Sequence, residues 1–155
     1  MPERKVALIG VGNILLGDDG VGVHVVEYLR KKGKGKDVLL VDAGTAFFDV
    51  IYDLDGYDKV IIVDAVCGGE EPGAIYKIDP CSLITNIGKK NQGLSLHDYG
   101  IIEGLSFGKL AGINIGEVVI IGIEPEKIET FTGLSDTLSR KLESIVGVIL
   151  EEIGS

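Results

Sequence analysis

The chain has 155 residues, 45% hydrophobic and 25% charged, with a formal net charge of −9. That size and balance predict one globular domain over residues 1–155, with a buried core, while the acidic excess argues against a nucleic-acid or anionic-membrane surface, which needs clustered Lys and Arg. No apolar run reaches the length of a bilayer span, "MPERK" is not the start of a signal peptide, and two cysteines, Cys67 and Cys81, supply neither a disulfide framework nor a paired-cysteine zinc motif. A cytoplasmic protein without membrane insertion is expected.

Taken in order, Val6–Ile9 is a short apolar run ended by Gly10, the pattern of a buried strand. From Asp19 the period becomes helical, with Val21, Val25, Val26 and Leu29 on one face and Gly33 and Gly35 as the stop. Val38–Val41 reads as a second strand, followed by the loop "DAGTA" and a weak helical stretch over Phe47–Leu54. Lys59–Asp64 is the clearest strand, with Asp64 as its last residue. "GGEEPG" reads as a loop, and Ala74–Ile78 as an antiparallel edge strand, because the connection from Asp64 is too short for a crossover helix. Ser82–Leu96 gives no assignment. His97–Leu110 reads as a helix and Glu117–Ile123 as a last strand. Leu134–Ile153 is a long amphipathic helix with Ser135 placed to cap it. Apolar strands alternating with helices predict an α/β fold: a three-layer sandwich around a mostly parallel, twisted sheet of about five strands, phosphorylase/hydrolase-like, with one antiparallel strand.

In such a sheet the ligand crevice lies beyond the C-terminal ends of the strands, where the chain switches direction between the first and third. Asp19, at the start of the first helix, and Asp64, at the end of "VIIVD", should face each other there. A carboxylate ending an apolar strand needs a proton, a partner or a metal, and a helix N-terminus suits a carboxylate at Asp19. The chain has two histidines. His24 lies more than a turn into the first helix and should point away from the strand ends. His97, in "LSLHDYG", can lean over the same edge. Two carboxylates and an imidazole suit a divalent metal with open coordination positions. The same residues also read as a capping Asp, a backbone-bonded strand-end Asp and a loop His.

"GVGNIL" begins like a dinucleotide fingerprint, and Asp42 after the second strand could meet a ribose. Leu15, however, stands where the third glycine belongs, and "NILLGDDG" puts two negative charges where a pyrophosphate would sit. A phosphate-loop lysine is missing from the sequence, and G-x-S-x-G occurs once, at Gly104–Gly108, inside the predicted helix His97–Leu110 rather than at a strand-to-helix elbow.

The segments "GVGNILLGDDGVG", "VDAGT", "VIIVDAV", "HDYG" and "GIEPE" resemble, in order and spacing, the [NiFe]-hydrogenase maturation endopeptidases over nearly the whole chain. The resemblance implies an enzyme that clips a C-terminal extension from a hydrogenase large-subunit precursor once nickel has been inserted. It also implies a family classed with aspartic endopeptidases whose site senses the substrate's nickel. Carried over by position, the first-loop acid falls on Asp19, the strand-end acid on Asp64 and the histidine on His97, as metal-contacting and catalytic residues. Some relatives have Glu where Asp19 stands, so the charge is kept and the reach shortened. Glu124 receives no catalytic role, since some relatives are apolar there. The nickel is expected to arrive with the substrate, Cd or Zn being possible substitutes in crystals, and no nucleotide is expected.

Two mechanisms fit the trio. The bound nickel can polarise a carbonyl or activate water, or an Asp can act as general base; the histidine favours the first. Asp42, Gly44 and Thr45 either position the substrate's tail or close a tight turn. Asp18 is read as capping the first helix and supporting its loop, and Cys67 as an inert loop thiol rather than a nickel ligand. Gly100, Gly104, Gly108 and Gly112 would form a side-chain-free stripe, for packing on the sheet or for docking a partner. A non-cleaving metallo-chaperone for the nickel-loaded subunit and a nucleotide-binding regulator are the alternatives to the protease.

Overall fold

A computed structural model describes residues 3–81, 95–96 and 99–155. Strand β1 (Val6–Val11) leads through a 3-10 turn, Gly17–Gly20, into α1 (Val21–Lys31). Then come β2 (Val38–Gly44), the short α2 (Phe47–Val50) continued by a 3-10 turn over Ile51–Leu54, and β3 (Lys59–Cys67). After these follow β4 (Ile75–Ile78), the two-residue β5 (Ser95–Leu96), α3 (Tyr99–Leu110), β6 (Glu117–Ile123) and α4 (Asp136–Gly154).

The main sheet has the order β2-β1-β3-β6-β4. β1 pairs in parallel with β2 and β3, and β3 in parallel with β6. β4 closes the far edge antiparallel to β6. The sandwich with one antiparallel edge strand is therefore as the sequence predicts. Alternate residues of the strands enter two cores, as a sheet covered on both faces requires. Leu8, Ile61, Val63 and Ile121 pack with Val25 and Leu29 of α1 and Leu138 and Ile149 of α4. Ile9, Ile62, Val66 and Ile120 pack with Phe47 of α2, Ile51 and Ile101 of α3.

Several boundaries differ from the sequence reading. β1 runs to Val11, because its pairing with β2 resumes at Val11–Gly44 after an irregularity. The first helix starts at Val21 rather than Asp19; residues 17–20 are a separate, tighter turn. Asp64 does not end β3, which continues to Cys67 because β5 and β6 both pair with the extension. α4 starts at Asp136, with the Ser135 hydroxyl accepting from Leu138 N–H at 3.3 Å. Two glycines of the stripe face α2 and the turn after it: a Cβ on Gly104 would stand 2.8 Å from the Phe47 ring, and one on Gly108 2.8 Å from Ile51. The stripe ends there, since α3 stops at Leu110. The part of the predicted Ser82–Leu110 region at 82–94 and 97–98 lies outside the described residues. Among the described residues, no helix is long and apolar enough to cross a membrane.

At the N-terminal edge of the sheet, Lys59, 1% exposed, lies beneath the end of α4. Its Nζ donates to the Glu152 carbonyl at 2.8 Å and the Ser155 hydroxyl at 2.9 Å, and lies 3.2 Å from the Glu152 carboxylate. A cation there meets the unpaired carbonyls and negative pole of the helix end. Burial acts to raise the Glu152 carboxyl, but Lys59 and Lys77 outweigh it and hold the group below its usual 4.5. The folded value is the lower one, so this contribution to stability is complete above 4.5 and is lost as pH falls through the folded value. Urea denaturation of Lys59→Met at neutral pH should show a loss of roughly 3 kcal/mol, as for a buried pair broken on one side. Glu152→Gln should shallow the acid-side fall of the urea midpoint.

Candidate functional site

Among the described residues, the C-terminal edge of the sheet gathers four buried carboxylates: Asp18, Asp19, Asp64 and Glu124. Two glycines bring the loop that carries the first pair down onto the strands. Gly22 lies against the carbonyls of Val63 and Val11, and Gly12, at φ +132°, against the Asp19 carbonyl. A Cβ at either position would overlap backbone. The glycines that looked like a phosphate cradle are thus filled by the protein's own main chain.

Asp19 Oδ2 accepts from Asn13 N–H at 3.0 Å, and the turn that holds Asp19 packs on β3. Asp64 Oδ1 accepts from Ala65 N–H at 2.8 Å. The pairing of β3 with β1 stops at Val63, while the pairing with β6 goes on past Asp64. Asp64 is therefore the first β3 residue beyond β1, at the switch point of the sheet. Alternation puts it on the face of Ile62 and Val66. In that row the neighbours of Asp64 are Gly122 on β6 and Tyr76 on β4.

His97 lies outside the described residues. Its chain neighbour Leu96 pairs with Val66, two positions beyond Asp64. Among the described residues, no three metal-ligating side chains form a group. His24 is half-buried on α1. Asp42 is exposed, its Oδ1 accepting from Gly44 N–H at 3.0 Å, so it closes a turn; Gly44 has φ +52°, and its carbonyl accepts from Gly12 N–H at 2.8 Å. Thr45 is exposed. These three residues shape the loop next to the end of β1.

Asp18 departs from its expected role. It does not cap α1 but holds a distant loop: its carboxylate accepts from the N–H groups of Glu126 at 2.9 Å, Lys127 at 3.0 Å and Ser135 at 2.7 Å. The approach to α4 thus hangs on the turn that carries Asp19. Burial pushes the Cys67 thiol up, and the charges of Glu124 and Asp19 push it the same way. Neutral at ordinary pH, it suits the inert reading.

Glu124 was not legible as an anchor. Its Oε1 accepts from Gly68 N–H at 2.8 Å, Glu70 N–H at 3.0 Å and Tyr76 O–H at 2.6 Å. Burial raises its carboxyl, but these donors outweigh burial and hold it below 4.5. Tyr76 is pushed up to about 12, by burial first and then by its bond to Glu124. The only local signal is an acid directly after an apolar strand, and its partners lie some fifty residues away.

The profile of the hydrogenase maturation protease family matches residues 23–152; Asp64 and His97 fall inside that span and Asp19 just before it. The hydrogenase 2 maturation protease of Escherichia coli is 30% identical over 151 residues, covering 94% of this chain and 88% of that one. The hydrogenase expression/formation protein HoxM of Azotobacter vinelandii is 31% identical over 153 residues, 97% of this chain and 73% of its own. Among solved structures, the hydrogenase maturating endopeptidase HybD from E. coli superposes with a TM-score of 0.80 at 27% identity, covering 97% of this chain and 92% of that one. The hydrogenase 2 maturation peptidase of a Thaumarchaeota archaeon gives a TM-score of 0.72 at 34% identity, covering 97% and 99%.

Asp18→Ala should leave three part-buried N–H groups without their acceptor and lower stability by about 3 kcal/mol. Urea denaturation measures the loss, and amide exchange should show the 126–135 loop opening before the sheet.

Proposed function

The chain belongs to the hydrogenase maturation protease family, and from that premise we propose that it is the peptidase that removes the C-terminal extension of a [NiFe]-hydrogenase large-subunit precursor after nickel insertion. The observation that carries this reading is the position of Asp64 at the switch point, one residue beyond the β1 pairing, with the turn of Asp19 packed on the same strand. The pairing of Leu96 with Val66 supports adding His97 to the pair.

In this reading the nickel belongs to the substrate and arrives with it. Asp19, Asp64 and His97 are the donors that would receive it, two hard carboxylates and an imidazole, a set that suits a divalent ion. Docking the metal fixes the precursor's tail relative to the site and so aligns the peptide to be cut, an effect of proximity and orientation. A precursor without nickel lacks that anchor, so cutting waits for insertion. The metal supplies Lewis acidity toward the carbonyl or the attacking water. Asp42, Gly44 and Thr45 lie beside the end of β1, where an extended tail would pass. The metallo-chaperone reading differs in one outcome, the absence of a cut. The nucleotide reading loses its ground, because Gly12 and Gly22 are packed against backbone.

Incubation with a nickel-loaded precursor, read by product mass, should show the extension released. Asp64→Asn, Asp19→Asn and His97→Ala should each slow release by at least about a hundredfold, the scale of a lost catalytic group. Their melting temperatures should be unchanged or raised, as is common when a functional charge is removed. His24→Ala should process normally. Normal release by the Asp64 variant would overturn the assignment.

A further inference from the structure

β3 does not stop at the candidate site. Its extension, Ala65–Cys67, is a seam with β6 on one side and β5 on the other: Ala65 pairs with Ile123, and Val66 and Cys67 pair with Leu96 and Ser95. β5 leads directly into His97 in the sequence. The extension therefore joins the two segments of the site that are far apart in sequence. What fixes its free end decides how firmly Asp64 and the segment before His97 keep their mutual register.

Among the described residues, the side chain that gathers this end is that of Glu124. Glu124, 6% exposed, follows directly on β6. Its Oε1 gathers the N–H groups of Gly68 and Glu70, the first residues past the seam, and the hydroxyl of Tyr76. Its backbone is tied as well: Glu124 N–H donates to the Ala74 carbonyl at 2.9 Å, and its carbonyl accepts from Gly73 N–H at 2.8 Å. Tyr76 stands in the same row as Asp64, separated by Gly122, which carries no side chain. A buried carboxylate is costly to keep, and three converging donors, stronger for being bonded to a charge, are what hold this one. These bonds close the β4 side of the site onto the end of the seam.

We propose that Glu124 is a positioning residue for processing, acting through residues 68–70 to hold the β3 extension in register with β5. The role rests on the processing reading given above. It requires no contact with the substrate. A loosened seam lets the site's two segments drift apart, and small misplacements of reacting groups cost rate more than they cost binding.

The test compares Glu124→Ala, Glu124→Gln and Tyr76→Phe with the unaltered chain on the nickel-loaded precursor. Glu124→Ala should lower kcat about tenfold or more with KM within about threefold, the pattern of a lost transition-state alignment. Amide exchange at Gly68, Gly69 and Glu70 should quicken while the β1 and β3 core stays protected. Glu124→Gln keeps an oxygen in the accepting position and should recover most of the rate and the protection. Tyr76→Phe removes one donor and should fall between. If Glu124→Ala does not fold, the Gln and Phe variants carry the test, with Tyr76→Phe expected to lower kcat at an unchanged KM. An unchanged kcat, a change confined to KM, or a Gln variant as impaired as the Ala variant would overturn the role. An unaltered chain that leaves the precursor whole would overturn the processing reading itself, whereas normal cleavage by both the unaltered chain and the Ala variant would overturn the role of Glu124 alone.

Discussion

Backbone packed on backbone at the end of β1 is the contact on which the rest of the site depends. Gly22 seats the first turn of α1 on the carbonyls of Val63 and Val11, and Gly12 lets β1 leave beneath the Asp19 carbonyl. Any side chain at either position would lift the helix off the sheet. With the helix seated, the 3-10 turn over Gly17–Gly20 lies across β3, and both of its aspartates are buried. Burial of adjacent carboxylates is tolerated because neighbouring loops turn N–H groups toward them. The loops are in turn shaped by those carboxylates, so local geometry at two glycines propagates to residues more than a hundred positions away.

Two of the acids at this edge join distant parts of the chain. Asp18 ties the first loop to the approach to α4, and Glu124 ties the end of β6 to the segment after β3 and to β4. Both are connectors between distant parts of the chain. The bonds described for Asp19 and Asp64 are short in sequence, to Asn13 and to Ala65. Connectors of this kind give a preformed site its rigidity, because they lock the loops that carry its side chains.

Much of this was legible in the sequence where a single element decided it. The runs of β1, β3 and β6 are apolar at nearly every position a two-sided sheet buries, Lys59 and Asp64 of β3 being the exceptions, and the connection to β4 was too short for a helix, so the sheet and its antiparallel edge followed. Asp64 stood out because an acid interrupts such a run. What escaped were features made by long-range pairing. β3 outlasts Asp64 only because β5 and β6 reach it. Lys59 opens the β3 run, and nothing in the local sequence shows that the end of α4 covers it. Gly104 and Gly108 of α3 face α2 and the turn after it, a packing that periodicity alone cannot assign to one neighbour among several. Glu124 and Asp18 were read by their own loops, whereas their partners lie elsewhere in the chain.

Strand polarity separates the two kinds of buried charge. Lys59 opens β3 and Asp64 is its sixth residue, so at roughly 3.3 Å per residue the two are about 16 Å apart along one strand. Among the described residues Lys59 is the one buried cation, and its partners are the carbonyls and carboxylate at the end of α4. At that distance, with its charge already met by Glu152, it contributes little at the opposite edge. The stabilising ion pair and the carboxylate edge therefore share a strand without neutralising each other. The parallel sheet allows both, because its two ends face different solvent edges while one core runs between them.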